Sequence, residues 1–385
     1  MDQVVDKHIL LLVDDDSENV RIVNSILGGQ YTIRVAMNGV KALELVKVAP
    51  IPSLILLDVI MPYMDGYEVC GKLKADPATR DIPVIFLTGK TEVTDETRGF
   101  EAGAVDYIHK PFSPPIVTAR VRTHLMLRDA HETVARQLST MNSELEMARQ
   151  VQLSILPAEI PRLNGLEITA RYLPMSSVAG DFYDFLAVDD KHVGILIADV
   201  AGHGLPSALI ASMLQSALAG QFSHASDPAC VLSGLNRALH GKFERHFVTA
   251  AYAFLDMENR VVNYANAGHP PMLLWQAKSG EVRECNEHGL MLGPFADAAY
   301  TSETMSLEQG DRIVLFTDGI MEATNSMGAQ FGIDGVSKLL ESKRDLPVSR
   351  FADALLYALS NWSEDAIGQR QSDDITLLAV DFRDT

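Results

Sequence analysis

The segment SLILLDVIMPYMDGYE, residues 53–68, joins an apolar β-type run to an amphipathic helical pattern, and Asp58 stands where the run ends. Similar runs followed by helical patterns are HILLLV (8–13), YTIRV (31–35), PVIFL (83–87) and VDYI (105–108). Five βα units in succession predict an α/β doubly wound domain with a parallel sheet over residues 8–127. Such a sheet binds ligands beyond the carboxyl ends of its strands.

Polar residues follow these runs, at one edge of the predicted sheet. Asp14 and Asp15 follow the first run and Asp58 follows the third, so we expect their carboxylates to converge on one pocket. Grouped carboxylates repel one another, and a hard cation such as Mg²⁺ relieves that repulsion. Thr88 ends the fourth run and Lys110 closes the fifth, where a hydroxyl and an ammonium group can bind the oxygens of a transferred phosphoryl group.

In order and spacing, these residues resemble the response-regulator receiver family over the whole of residues 8–127. The resemblance implies a flavodoxin-like fold and phosphorylation of Asp58 by a sensor histidine kinase or phosphotransfer protein. It also implies that Thr88 and Tyr107 form a switch pair. The implied Mg²⁺ ligands are Asp14, Asp15, Asp58 and the carbonyl of Ile60.

Taken one at a time, these residues also have simpler roles. An Asp after a strand is often a helix N-cap, and we expect Asp16 and Ser17 to cap the first helix. A Lys-Pro pair is often only a turn, whereas the resemblance implies a cis bond between Lys110 and Pro111. The agreement of five positions in one register favours the receiver interpretation.

The segment from about Arg120 to Leu156 contains no glycine or proline, which predicts one long helix ended by Pro157 and Pro161. Alternate steps of four and three residues from Leu127 trace a seam that is apolar at six of eight positions: His131, Val134, Leu138, Met141, Leu145, Ala148, Gln152 and Ile155. This heptad pattern predicts a coiled-coil linker over residues 120–156 and a homodimer. The alternative is a single helix packed on its own domain.

After Gly165 the chain has longer β-type runs with few helices between them, a pattern typical of antiparallel sheets flanked by helices. The runs are LEITARYL (166–173), HVGILIADV (192–200), FVTAAYAFLD (247–256), RVVNYANA (260–267), PMLLWQ (271–276), RIVLFTDG (312–319) and ITLLAVDF (375–382). Helical stretches lie near 206–222, 227–243 and 348–360. We predict an α+β layered domain over residues 157–385.

Acidic residues again stand beside glycine or at the ends of these runs. They are Asp181 in SSVAGDFYDF, Asp199 in IADVAGHG, Asp318 in VLFTDGIMEATN, and Asp373 and Asp374 in QSDDITLLAV. Glycine beside a carboxylate lets a backbone carbonyl approach the same ion. Ligands that are all oxygen predict Mg²⁺ or Mn²⁺ rather than zinc.

From about Glu144 to the end, the chain resembles the PPM-type phosphatases of the SpoIIE/RsbU-like branch, including ELEMARQVQLSILP (144–157) and NYANAGHPP (263–271). Ala179 stands where this branch more often has glycine. The resemblance implies an α-β-β-α sandwich that holds two Mg²⁺ or Mn²⁺ ions. The implied ligands are Asp181, Asp199, the carbonyl of Val200, Asp318 and Asp373, with Asp374 as the alternative to Asp373.

Such a pair of cations lowers the pKa of a bridging water and binds phosphoryl oxygens, so no side-chain nucleophile is required. Cys70, Cys230 and Cys285 lie outside these motifs, which argues against cysteine-phosphatase chemistry. His203 and His269 are alternative general acids, but a histidine beside glycine or proline is more often structural.

The two resemblances together predict a response regulator that controls a metal-dependent protein serine/threonine phosphatase. Its implied substrate is a phosphorylated regulatory protein such as an anti-sigma-factor antagonist. The alternative is a catalytically silent adaptor that binds a sigma factor or another partner. The net charge of −19 disfavours nucleic acid and anionic membranes as partners. With no long apolar segment near the start, we expect a cytoplasmic protein.

Overall fold

The computed structural model describes residues 8–89, 99–175, 178–202, 204–243, 245–286, 289–363 and 373–383. The chain divides into two compact units, Met1–Met141 and Asn142–Thr385. The domain limits predicted from the sequence, 8–127, 120–156 and 157–385, stay predictions.

The first unit contains one parallel five-stranded sheet with the strand order β2-β1-β3-β4-β5. Its strands are β1 (Ile9–Val13), β2 (Thr32–Ala36), β3 (Leu54–Asp58), β4 (Val84–Thr88) and β5 (Asp106–His109). Its helices include α1 (Ser17–Leu27), α2 (Gly39–Leu45) and α3 (Gly66–Ala75). This order is that of a flavodoxin-like doubly wound sheet, so the predicted fold class of this unit is confirmed.

Apolar residues fill both faces of this sheet, as a buried parallel sheet requires. Leu11 and Leu57 belong to the core on one face, and Leu10 and Leu56 belong to the core on the other. The carboxylate of Asp16 accepts a hydrogen bond of 2.8 Å from the amide of Glu18 and caps α1, as predicted. The chain therefore turns at the carboxyl end of β1, where the acidic residues lie.

A single helix, α4, extends over Pro114–Ile155 and begins six residues before the predicted start. Val117, Val121 and Leu125 pack into the core of the first unit. Every side chain from 129 to 144 is exposed, including several apolar ones. Within the described ranges, no helix is both long enough and apolar enough to span a bilayer.

The second unit contains two antiparallel five-stranded sheets, ordered β13-β10-β9-β8-β7 and β12-β11-β14-β15-β6. Their strands are β6 (Leu166–Leu173), β7 (Phe182–Ala187), β8 (His192–Val200), β9 (Val248–Asp256), β10 (Val261–Ala267), β11 (Met272–Gln276), β12 (Glu281–Cys285), β13 (Glu303–Ser306), β14 (Arg312–Phe316) and β15 (Ile375–Phe382). The helices of this unit are α5 (Leu205–Ala219), α6 (Pro228–Leu239), α7 (Asp318–Met321), α8 (Gly332–Ser342) and α9 (Val348–Ser363), with a 3₁₀ turn at Phe222–His224.

The alternation of side chains along the strands divides this unit into layers. Ile195 and Ile197 of β8 face the second sheet, whereas Leu196 packs against α5 and α6. On β14, Leu315 faces the first sheet, whereas Val314 packs with α8 and α9. The result is an α-β-β-α sandwich, and the predicted fold class of this unit is confirmed.

Candidate metal centres and active site

Three carboxylates converge at the carboxyl edge of the parallel sheet. Asp14, Asp15 and Asp58 each offer an oxygen atom, and these atoms lie within 4.8 Å of one another. Asp14 and Asp58 are buried, and Asp15 is exposed. A hard cation with oxygen ligands fits this cluster, because it would neutralise charges that the fold holds together.

Lys110 lies against two of these carboxylates. Its Nζ is 3.0 Å from Oδ2 of Asp14 and 2.9 Å from Oδ2 of Asp58. Burial raises the pKa of Asp58, and the hydrogen bond from Lys110 opposes that rise. Burial alone would lower the pKa of Lys110, but its bonds to Asp58 and Asp14 outweigh that effect and raise it. The lysine therefore remains protonated beside the acids.

The other predicted residues of this unit surround the same edge. Thr88 is the last residue of β4 and is buried, and the bond between Lys110 and Pro111 is cis. Tyr107 is buried in β5 and packs against Phe86 and Phe100.

The side chain of Ile60 is exposed, and its backbone forms a hydrogen bond with the carboxylate of Asp58. The structure therefore places the backbone of Ile60 beside Asp58, and a ligand role for its carbonyl stays a prediction.

The second unit collects acidic side chains from four separate segments. Asp181 precedes β7, Asp199 lies near the end of β8, Asp318 begins α7, and Asp373 precedes β15. Burial and the charges of Asp318 and Asp373 raise the pKa of Asp199 to about 7. Burial and the charge of Asp373 raise the pKa of Asp318 to about 6.

Asp181 is the most deeply buried of these acids. Burial and the charge of Asp199 raise its pKa well above the usual range. Burial and mutual repulsion therefore oppose the ionisation of these acids, and divalent cations, which stabilise the ionised form, fit such a donor set.

The acids of the second unit are more widely spaced than those of the first. Among the residues that the structure describes, only Asp14, Asp15 and Asp58 bring three ligand atoms within 4.8 Å of one another. A site for two ions divides its ligands between centres about 3.5–4 Å apart, so the outer ligands need not touch. This spacing is compatible with a site for two ions.

Asp374 has a different environment from Asp373. Its Oδ1 accepts a hydrogen bond of 2.7 Å from the amide of Met175, and its Oδ2 accepts one of 2.7 Å from the amide of Gly180. Both carboxylate oxygens thus bind backbone, and the side chain is buried. The geometry favours Asp374 as an anchor for the segment before Asp181, whereas Oδ1 of Asp373 accepts a 2.8 Å hydrogen bond from the amide of Asp374.

Close backbone approach explains the glycine before Asp181. A Cβ atom at Gly180 would lie 2.7 Å from the carbonyl oxygen of Val200 and 3.3 Å from Oδ1 of Asp199. Any larger residue would push these two groups away. The predicted carbonyl of Val200 therefore lies beside the acidic cluster.

Sequence reasoning missed two threonines beside these acids. The hydroxyls of Thr317 and Thr376 lie 2.8 Å and 2.6 Å from Oδ2 of Asp181. Thr317 lies in TDG and Thr376 in DDIT, and this proximity to the acidic motifs is the sequence feature that could have identified them. Threonine in an apolar run is usually read as a strand-forming residue, so the pattern alone did not single them out.

Gln152 was predicted as a polar interruption of the helical seam, but it is buried. Its Nε2 donates a 2.5 Å hydrogen bond to the carbonyl of Ala179, and its Oε1 accepts a 2.9 Å hydrogen bond from the Ala179 amide. Gln215 also binds α4, because its Nε2 donates to the carbonyl of Ile155 at 2.9 Å. The end of α4 is thereby attached to Ala179, which precedes Asp181 by two residues in the chain.

The histidines do not supply an evident general acid. Nδ1 of His269 lies 3.0 Å from the hydroxyl of Thr249, and burial lowers the pKa of His269 to about 3. An imidazole with that pKa is neutral at physiological pH and is a poor proton donor. His203 lies outside the described residues.

Residues 189–383 match the Stage II sporulation protein E (SpoIIE) family, and residues 10–122 match the response regulator receiver domain. Since the first match covers half of the chain, this protein belongs to the SpoIIE family. It joins a receiver domain to a SpoIIE-type phosphatase domain.

Similar proteins include two phosphoserine phosphatases of Bacillus subtilis. RsbP is 32% identical over 245 residues, which are 62% of this chain and 58% of RsbP. RsbU is 34% identical over 204 residues, which are 53% of this chain and 61% of RsbU. The chain thus spans less than two thirds of the length of these relatives. The solved SiaA-PP2C domain of Pseudomonas aeruginosa has a TM-score of 0.56 and 24% identity, covers 65% of this chain and 100% of that domain, and supports the fold.

The anchoring role of Asp374 predicts a difference between neighbouring acids. Asp374→Ala leaves the buried amides of Met175 and Gly180 without their acceptor, so we expect a loss of about 2–4 kcal/mol in the free energy of unfolding. Asp373→Ala is the matched control: it removes the acceptor of the Asp374 amide, which is part-buried, and should lose less than Asp374→Ala. Chemical denaturation in EDTA measures both, and an equal loss in the two variants would contradict the assignment.

Proposed function

We propose that this protein is a two-component response regulator, phosphorylated on Asp58, that controls the metal-dependent hydrolysis of phosphoserine or phosphothreonine on a regulatory protein. An anti-sigma-factor antagonist is the kind of substrate that the family resemblance suggests, and RsbP and RsbU support the choice of phosphoserine chemistry. A sensor histidine kinase or phosphotransfer protein would supply the phosphoryl group. We place the protein in the cytoplasm, where such partners occur.

The observation that carries this proposal is the convergence of four acids from four distant segments. Asp181, Asp199, Asp318 and Asp373 are held close enough that Asp199 has a pKa of about 7 and Asp318 one of about 6. A fold gains no stability from such repulsion. A binding function for cations accounts for it.

The residues proposed to hold two Mg²⁺ or Mn²⁺ ions are Asp181, Asp199, the carbonyl of Val200, Asp318 and Asp373. Bound cations there supply positive charge for phosphoryl oxygens and lower the pKa of the attacking water. The chain itself orients the ligands: Asp374 fixes Gly180, and Gly180 admits the carbonyl of Val200. His269 stays neutral and structural.

In the receiver, Asp14, Asp15, Asp58 and the Ile60 carbonyl are the proposed Mg²⁺ ligands, and Asp58 is the nucleophile. Lys110 holds a protonated amine 2.9 Å from Oδ2 of Asp58, where it can bind an oxygen of the incoming phosphoryl group. Thr88 lies at the end of the neighbouring strand β4, and its hydroxyl can donate a hydrogen bond to a second oxygen of the phosphoryl group. We propose that Thr88 and Tyr107 respond to phosphorylation as a switch pair.

The exposed part of α4 supports a homodimer. Sixteen consecutive helical residues, 129–144, have exposed side chains, and they include Val134, Leu138 and Met141. An isolated helix of this length is marginal in water, whereas a second copy of the seam would bury these apolar side chains. We propose that phosphorylation alters this helix pairing and activates the phosphatase.

For the receiver, Asp58→Asn should abolish labelling by a kinase or acetyl phosphate while the fold persists, because the change is nearly isosteric but removes the nucleophilic carboxylate. Phosphate incorporation and circular dichroism measure the two effects. Asp65→Asn, at the N-cap of α3 near Asp58, is the matched control and should still be labelled. Labelling that persists in Asp58→Asn would show another acceptor.

For the phosphatase, Asp199→Asn should eliminate Mn²⁺-dependent hydrolysis of a phosphate ester, because it removes a charged ligand. It should also stabilise the metal-free protein at pH 8 by a few kcal/mol. The folded-state pKa of Asp199, about 7, lies above its ordinary value. The wild type therefore loses stability as the pH rises through 7, and Asp199→Asn, which cannot ionise there, does not. The gain should shrink at pH 5.5, where Asp199 is protonated in the fold.

Thermal unfolding in EDTA at the two pH values and turnover with Mn²⁺ test this prediction. Asp318→Ala should likewise lose turnover. If the wild-type protein binds no Mn²⁺ and hydrolyses no ester, the catalytically silent adaptor becomes the better interpretation. Wild-type turnover in Asp199→Asn would instead remove Asp199 from the proposed ligand set.

For the linker, Leu138→Asp with Leu145→Asp should convert a dimer to a monomer and reduce the response of turnover to the phosphoryl mimic beryllofluoride, because like charges would face each other in the seam. Ser143→Asp with Gln150→Asp adds the same charge away from the seam. This control should leave the dimer and the response to beryllofluoride unchanged. Sedimentation and turnover measure the effects. A dimeric seam variant, or a monomer that still responds fully, would contradict the proposed relay.

A further inference from the structure

Two buried hydroxyls surround one oxygen of Asp181. Oγ1 of Thr317 lies 2.8 Å from Oδ2 of Asp181, and Oγ1 of Thr376 lies 2.6 Å from the same atom. Both threonines are 0% exposed, and Asp181 is 2% exposed. The same oxygen thus has two neutral donors in a region closed to solvent.

The strands fix these hydroxyls in place. Thr317 follows β14, Thr376 lies in β15, and the two strands are antiparallel neighbours. The amide of Thr317 donates to the carbonyl of Thr376 at 3.0 Å, and the amide of Thr376 donates to Oγ1 of Thr317 at 2.9 Å. Because Oγ1 of Thr317 accepts that bond, its own hydrogen is directed to Asp181.

We infer that Thr317 and Thr376 are positioning residues that reserve Oδ2 of Asp181 for the protein and leave Oδ1 for a divalent cation. This inference rests on the proposed function of the second unit. It assigns each oxygen of one candidate ligand a separate task. Neutral donors suit that task, because they orient the carboxylate without cancelling the charge that attracts the cation.

The acids of the receiver have a charged partner instead of neutral ones. There, Lys110 places a positive charge beside Asp14 and Asp58, and that charge offsets part of the attraction for a cation. At Asp181 the hydroxyls carry no net charge. The hydroxyls therefore restrict the rotation of the Asp181 side chain without adding a positive charge that would repel a cation.

A carboxylate with one oxygen occupied has a consequence for metal choice. Ca²⁺ takes 6–8 oxygen ligands and often binds both oxygens of a carboxylate, whereas smaller octahedral ions bind one. With Oδ2 held by two hydroxyls, Oδ1 is the oxygen of Asp181 that is better placed to bind an ion. The threonine pair therefore favours Mg²⁺ or Mn²⁺ and disfavours Ca²⁺.

Thr376→Val tests this inference, because it keeps the shape of the side chain and removes the hydroxyl. In the full chain, we expect Mn²⁺ binding at the second unit to weaken about tenfold. Ca²⁺ binding should weaken less or improve, so the preference for Mn²⁺ over Ca²⁺ falls. Electron paramagnetic resonance of free Mn²⁺, with Ca²⁺ as competitor, measures both quantities.

Two variants serve as controls. Thr376→Ser retains the hydroxyl and should restore binding and selectivity. Thr169→Val removes a buried hydroxyl on β6 that accepts from Arg171 and should change neither. Mn²⁺ binding by the receiver acids is an internal reference that should stay constant. If Thr376→Val fails to fold in EDTA, Thr376→Ala carries the same expectation.

The outcomes separate this inference from the proposed function. If the wild-type second unit binds no Mn²⁺, the proposed function fails and the inference fails with it. If the wild type binds Mn²⁺ and Thr376→Val matches it in affinity and selectivity, only the inference is overturned. A serine variant as defective as the valine variant would show that packing, not the hydroxyl, is responsible.

Discussion

Repulsion between buried carboxylates is the constraint on which both units depend. Each fold gathers acids at the ends of its strands, where backbone turns bring distant segments together. In the second unit this repulsion, with burial, raises the pKa of Asp199 to about 7. Such clusters persist only because the surrounding sheets are well packed and their core strands are almost wholly apolar.

The two units bind their buried carboxylates with different donor groups. The receiver uses a lysine that contacts both Asp14 and Asp58. The phosphatase unit uses backbone amides for Asp374 and hydroxyls for Asp181. A mobile cation such as lysine can follow a phosphoryl group as it arrives, whereas amides and hydroxyls hold a fixed geometry. The receiver acids thus have a partner that can move, whereas the acids of the second unit have partners that stay in place.

Sequence patterns located the strands whose apolar runs are continuous. The observed β6, β8 and β15 have the limits that the sequence predicts, and β8 and β15 lie in the interior of their sheets. Three strands were not predicted from the sequence. β7 carries polar residues of the acidic motif, and β12 and β13 are edge strands with exposed side chains. Helix α8 was missed because Gly332 and Gly335 weaken its helical signal.

The acidic residues of both sites were visible in the sequence because several of them stand together at the ends of apolar runs or beside glycine. Their partners were not. Thr317, Thr376 and Gln152 have ordinary polar side chains whose roles depend on which segment folds against them. The choice between Asp373 and Asp374 needed the same information, since only three-dimensional contacts distinguish two adjacent carboxylates.

The contact of Gln152 with Ala179 involves only the backbone of residue 179. A side chain at that position is therefore not part of the recognition, and relatives can exchange alanine and glycine there without losing the bond. The next residue has no such latitude, since a Cβ at Gly180 would meet the carbonyl of Val200 at 2.7 Å. Substitution at 179 can thus alter the stiffness of this segment, whereas substitution at 180 would alter the geometry of the acidic cluster itself.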